Sequence, residues 1–160
     1  MNPTIAPPKH QAWVSFLRAH AAITRQLNAD LLNQHGLTLN DYEVLLHLSR
    51  ASDGMMRRVD LAESVLLTAS GITRLLDGLE RAGFVEKASC KTDARVSYAK
   101  LTAAGREKLR AASKTHVAGI DELFSGRFSP EEGETLRELL ARLPMTGVDC
   151  RADAASCGAD

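Results

Sequence analysis

The chain has 160 residues, 20 Lys or Arg against 20 Asp or Glu, and a hydrophobic fraction of 44%. That length suits one compact subunit, and no stretch approaches the roughly 18 apolar residues of a membrane span. Charge is unevenly spread: residues 57–110 carry eleven basic and seven acidic side chains, residues 111–160 five and nine, so a polyanion is expected to meet the middle of the chain.

The opening residues "MNPTIAPPKH" hold no apolar core of a signal peptide, so a cytoplasmic location is expected. Cys90, Cys150 and Cys157 show no C-x-x-C spacing, and an odd count leaves one unpaired, which argues against a disulfide framework.

Residues 1–9 are expected to be a disordered terminus. A first helix is predicted from about residue 10 to 34, with Trp13, Phe16, Leu17, Ile23, Leu27 and Leu31 as its apolar stripe and Gly36 as its stop. Thr38 and Asp41 suggest a capping box for a second helix, which buries Tyr42, Leu45, Leu46 and Leu48 before a turn at Asp53-Gly54. "MRRV" (56–59) is a stub of strand, and Asp60 with Glu63 predicts the start of a short third helix ending near Leu66.

Thr68 caps the next helix, "ASGITRLLDGLER", and Gly83 can end it. Ile72, Leu75, Leu76 and Leu79 form one apolar face; Ser70, Thr73, Arg74, Asp77 and Arg81 occupy the other. Two short helices joined by a tight turn, the second with a polar outer face, make a helix-turn-helix pattern. Gly71 and Gly78 share a flank where close approach of a neighbour is their expected role. Taken alone, the stretch also fits an ordinary amphipathic helix.

The period then changes. "FVEKAS" (84–89) and "VSYAKL" (96–101) are predicted strands joined by "CKTDAR" (90–95), a hairpin placed as a wing. Thr102 starts a long helix to about residue 126, with Leu109, Ala112, Val117, Ile120, Leu123 and Phe124 on one stripe. "SPEE" (129–132) starts a last helix carrying Leu136, Leu139, Leu140 and Leu143, and Pro144 stops it. Residues 145–160 are expected to be a disordered tail.

An α-helix fits the major groove of B-DNA, about 12 Å wide, if its outer face is slim and able to hydrogen-bond. Thr68, Ser70 and Thr73 suit base edges or phosphates, and Arg74 suits guanine or a phosphate. Lys91 and Arg95 sit at the hairpin tip, where an arginine suits a narrow, strongly negative minor groove. Asp77 is discordant on a DNA-facing side, unless it pairs with Arg74 or Arg81 and aims them. The first and last two helices carry apolar stripes that a lone winged helix has no surface to bury, so a homodimer is expected.

The run "DARVSYAKLTAAG" (93–105) fits D-x-R-x5-L-T-x-x-G through Asp93, Arg95, Leu101, Thr102 and Gly105. With "GLTLNDYEVLLHL" (36–48) and "SGITRLLDGLERAGFV" (70–85), it resembles the MarR family of winged-helix bacterial regulators over residues 10–143. The resemblance implies a mainly α fold with a small β-hairpin wing. Its DNA-binding domain would span residues 37–101, and its helical dimerisation region residues 10–36 and 102–144. It further implies a homodimer on a pseudo-palindromic double-stranded operator, usually a repressor. Ser70, Thr73 and Arg74 would enter the major groove and Arg95 the minor groove, with Asp93 bracing the wing. Ala94 replaces the family's usual second basic residue there.

The family often binds small phenolic or carboxylate effectors between its dimerisation helices and its DNA-binding domain. Trp13, Phe16, His20 and His47 are the candidates for such a pocket here; His20 also reads as a core or interface histidine. Five scattered histidines show no metal-ligand spacing, so neither a metal nor another cofactor is expected. Cys90 beside Lys91 could be reactive or an incidental thiol. No nucleophile–base pair, phosphate-cradling loop or paired carboxylates stand out, so an enzyme is not expected. The competing reading is a winged-helix dimer that serves as a protein-interaction module or a cysteine redox sensor.

Overall fold

The computed structural model describes residues 8–89 and 97–144. Helix α1 (Pro8–His35) starts two residues earlier than its apolar stripe suggests and ends at Gly36, whose φ of +65° is the left-handed geometry that terminates helices. Helix α2 (Leu39–Arg50) starts at a complete capping box. Thr38 Oγ1 accepts from the Asp41 N–H at 3.1 Å, and the Asp41 carboxylate accepts from the Thr38 N–H at 2.9 Å. A 3-10 turn at Ser52–Gly54 leads into strand β1 (Met55–Arg57), helix α3 (Arg58–Ser64) and helix α4 (Ala69–Arg81). Strands β2 (Val85–Ser89) and β3 (Ser97–Leu101), helix α5 (Ala103–Leu123), a 3-10 turn at Ser125–Arg127 and helix α6 (Pro130–Leu140) follow. No helix among the described residues is long and apolar enough to cross a membrane.

The expected start of α3 at Asp60 is corrected. The helix begins at Arg58 after Arg57, and no side chain caps it. The Asp60 carboxylate instead takes a bidentate grip from Arg57, at 2.6 and 2.7 Å. Both carboxylate oxygens are thereby engaged by the fork of the guanidinium, a geometry that a single backbone N–H cannot match. The strands form an antiparallel sheet in the order β1-β3-β2. Met55 lies opposite Lys100 and Val85 opposite Leu101, so the expected hairpin gains a third strand; it runs over Met55–Arg57 and not over 56–59, since Arg58 and Val59 already belong to α3.

The core gathers Leu31, Leu37, Val44, Leu45, Leu48, Leu61, Ile72, Leu76 and Leu79 with Val85, Ala99, Leu101, Leu109 and Ala112. It therefore lies between the end of α1, α2, α3, α4, the sheet and the first half of α5. The rest of the helical framework stands outside it. Helix α6 buries no residue at all, although Ser129 and Glu132 give it a full capping box with Pro130 at its start. Trp13 is 59% exposed, and Phe16, Leu17, Val117, Phe124, Leu139 and Leu143 are exposed as well.

One tight joint connects α4 to α5. Gly83, at φ +77°, ends α4 and turns the chain. The Thr102 N–H donates to the Phe84 carbonyl at 3.1 Å, and Thr102 Oγ1 donates to the Gly83 carbonyl at 2.7 Å. The same hydroxyl accepts from the Gly105 N–H at 3.0 Å and so caps α5. The L-T-x-x-G run thus places a buried leucine, a cap that reaches back to α4, and a glycine with no room for a side chain.

Candidate nucleic-acid interface

The side of α4 opposite Ile72, Leu76 and Leu79 presents Ser70, Thr73 and Arg74 to solvent. Thr68 Oγ1 accepts from the Gly71 N–H at 3.1 Å and lies 3.2 Å from Ser70 Oγ, so its oxygen is committed first to the cap. Thr73 donates its hydroxyl to the Ala69 carbonyl at 2.8 Å, which leaves its lone pairs and methyl facing out. Arg74 has no ion pair among the described residues, so its five donors are available.

Asp77 pairs with neither arginine that the sequence suggested. Its carboxylate lies 4.0 Å from Lys87 Nζ on β2, while Arg81 Nε donates to the Asp77 backbone carbonyl at 3.1 Å. Arg74 is therefore not drawn back along the helix. The expected close approach at the two glycines is also corrected. A Cβ on Gly78 would meet nothing within 4 Å, and one on Gly71 would meet only the local Thr68 and Leu67 side chains. Their effect is to keep the flank of α4 thin.

Strands β2 and β3 pair as a hairpin as far as Ser89 opposite Ser97. Its tip lies outside the described residues, with Lys91, Asp93 and Arg95, as does Cys90.

Trp13, Phe16 and His20 come together on α1, with ring centroids 6.2 and 6.3 Å apart in succession. They line an apolar groove of about 680 Å³ whose other wall is Phe124, Phe128, Leu136, Leu139, Leu140 and Leu143. His47 does not reach this groove; it is half-buried on α2. A different histidine stands where α5 crosses α2. The His116 ring lies 4.4 Å from that of Tyr42, whose hydroxyl is 3.3 Å from Ser113 Oγ. His116 Nδ1 is buried without a hydrogen-bond partner among the described residues. The sequence offered no local signal for it, because the contact joins residues far apart in the chain.

Burial holds His116 below the ordinary histidine range; burial and then Arg50 do the same for His47. A depressed histidine pKa means that below about pH 6.5 the unfolded chain takes up protons the folded chain refuses. Stability is thus full above that pH and declines as pH falls through the window beneath it. His116→Phe keeps a ring against Tyr42 and removes one proton site. It should flatten this decline in urea melts between pH 7 and 5; superimposable profiles for the two proteins would refute the assignment.

A helix-turn-helix whose second helix is exposed and polar, followed by a wing hairpin and framed by unburied apolar helices, defines a winged-helix DNA-binding regulator. Comparisons with known proteins agree. The MarR family model matches residues 35–96. The HTH-type transcriptional regulator MhqR of Bacillus subtilis is 31% identical over 133 residues, 83% of this chain and 89% of that protein. AbsC, a MarR family regulator of Streptomyces coelicolor, superposes with a TM-score of 0.78 at 32% identity, covering 87% of this chain and 93% of that one. Sco3205, a MarR family regulator of the same organism solved in complex with DNA, gives a TM-score of 0.80 at 26% identity and covers 88% of each chain. CouR of Rhodococcus jostii, solved with p-coumaroyl-CoA, gives 0.68 at 25% identity over 79% of this chain and 88% of that one. The chain belongs to the MarR family of transcriptional regulators. Its relatives are DNA-binding regulators and not enzymes.

Proposed function

We propose that this protein is a homodimeric repressor that binds a pseudo-palindromic operator in the cytoplasm and is released by a small aromatic effector carrying a phenol or carboxylate. Residues 37–101 form its DNA-reading unit, and residues 10–36 with 102–144 its pairing unit. The observation that carries the reading is α6, which buries none of its residues while it and α1 expose a shared apolar face. A second copy is the occupant with matching chemistry, since each chain brings the same face. Two-fold pairing sets two α4 helices about one DNA turn apart, roughly 34–36 Å, or a multiple of it.

Ser70, Thr73 and Arg74 then read the major groove, with Thr68 at the phosphates; Lys91 and Arg95 reach the minor groove, and Asp93 braces the wing. Trp13, Phe16 and His20 lie on the pairing face, so the effector wall is the part of their groove that a partner leaves open. An effector there acts by changing how the two subunits meet. The p-coumaroyl-CoA bound to CouR, a thioester that keeps its phenol, supports the phenolic member of this effector class.

Sedimentation should give a dimer. Binding to the protein's own upstream intergenic DNA should weaken steeply with salt, because phosphate contacts release counterions. Arg74→Ala should lower operator affinity by about 1–3 kcal/mol per half-site with little change in melting temperature. Phenols and aromatic carboxylates should raise the melting temperature and release DNA. No binding at low salt would end the repressor reading, and a screen without any shift would end the effector reading.

A further inference from the structure

Behind its reading face, α4 carries charges that contact with DNA leaves without a use. Glu80 Oε1 accepts from Arg58 Nη2 of α3 at 2.6 Å, and each side chain is only 17% exposed. The other carboxylate oxygen, Oε2, lies 3.2 Å from Lys87 Nζ of β2. Lys87 is in turn the cation nearest Asp77, at 4.0 Å. Arg58 Nε is buried without a partner among the described residues, so the guanidinium depends on Glu80 for its neutralisation.

Helix α4 is otherwise held by Ile72, Leu76 and Leu79, and apolar burial is non-directional: it fixes depth better than rotation or pitch. Charge-assisted hydrogen bonds are directional. A buried ion pair is weak evidence for net stability, and in some proteins its role is to define one arrangement. Here a single carboxylate engages the first helix of the helix-turn-helix and the strand that leads into the wing.

We infer that Glu80 is a positioning residue for DNA reading: by pairing with Arg58 and Lys87 it locks α3, α4 and β2 into one unit, so that Arg74 and the wing meet neighbouring grooves in register. The inference rests on the placement of α4 in the major groove. Base contacts need that register, whereas non-specific binding needs only charge. The effect of Glu80 is therefore on the ratio of operator to non-operator affinity.

The test uses the full chain, an operator duplex defined by footprinting with the unaltered protein, and a scrambled duplex of equal length. Glu80→Gln should lose at least tenfold on the operator and less than twofold on the scrambled duplex, with the dimer intact. Equal gains on both duplexes would show that only a negative charge near phosphate had been removed. Equal losses tracking the folded fraction would show a purely structural pair; either result overturns the inference. Lys87→Gln alters a side chain that is 62% exposed, so it leaves folding intact where Glu80→Gln fails to fold. It should lower the same ratio about threefold and add nothing in the Glu80→Gln background; an equal fall on both duplexes would make Lys87 a phosphate contact and overturn the bracing role. Arg74→Ala is measured alongside. If it leaves operator binding unchanged, the placement of α4 fails and takes the inference with it; if it weakens binding while Glu80→Gln does not, the inference alone fails.

Discussion

Leu76→Ala should lower the stability of the folded chain by about 2–5 kcal/mol and remove operator binding at temperatures where the unaltered protein still binds. Leu76 has no exposed surface and sits in the middle of α4, in the same cluster as Leu45, Leu48, Leu61 and Leu79. Truncation there forfeits the transfer free energy of the lost carbons and leaves a cavity between elements that cannot close independently. A domain of this size has about 5–15 kcal/mol in total, so the loss is a large fraction of the whole. Urea unfolding checks it as a fall in midpoint. Leu66→Ala is the contrast, since Leu66 is 77% exposed in the turn before α4 and contributes little packing. A midpoint for Leu76→Ala as high as that for Leu66→Ala would mean that α4 does not dock through this face.

What the sequence made legible is what short spacing decides. Thr38, Thr68, Thr102 and Ser129 each cap a helix through a contact three residues on, and each was readable from its own neighbourhood. The apolar face of α4 followed from period alone. The start of α3 did not, because Asp60 had two possible partners and the arginine before it won. Pairs that fold together from distant parts of the chain were invisible: Arg58 with Glu80, Tyr42 with His116, and Met55 opposite Lys100. Neither residue of such a pair carries a local mark of the other. The glycines show the same limit. Close approach of a neighbouring element was expected at Gly71 and Gly78, but Gly78 faces open space and Gly71 only the adjacent Thr68 and Leu67; it occurs at Gly105, where the sequence shows only the last position of a motif.

Gly105→Val, at a buried position of α5, should therefore lower stability by about 3 kcal/mol, the upper part of the range for overpacking. A Cβ at this position would lie 2.1 Å from the Phe84 carbonyl oxygen and 2.7 Å from Leu101 Cδ1. The carbonyl is backbone and cannot rotate aside, so α5 must lift. Lifting it stretches the bond from the Thr102 N–H to that same oxygen and the bond from Thr102 Oγ1 to Gly83. It also moves Lys108 off the Phe84 ring, whose centroid is 5.6 Å from its ammonium. The same helix exposes Val117 and leads to the exposed Phe124. In the proposed dimer, a shift at its first turn would change the distance between the two α4 helices, which B-DNA fixes at about one turn or a multiple of it. Operator affinity should fall by more than the loss of folded protein explains, and Gly105→Ala should move both quantities the same way by less. Thermal melts and operator titrations below the melting transition separate the two effects. Losses in affinity that follow the folded fraction alone would make the joint a matter of stability; larger losses make it the coupling between subunit pairing and groove reading.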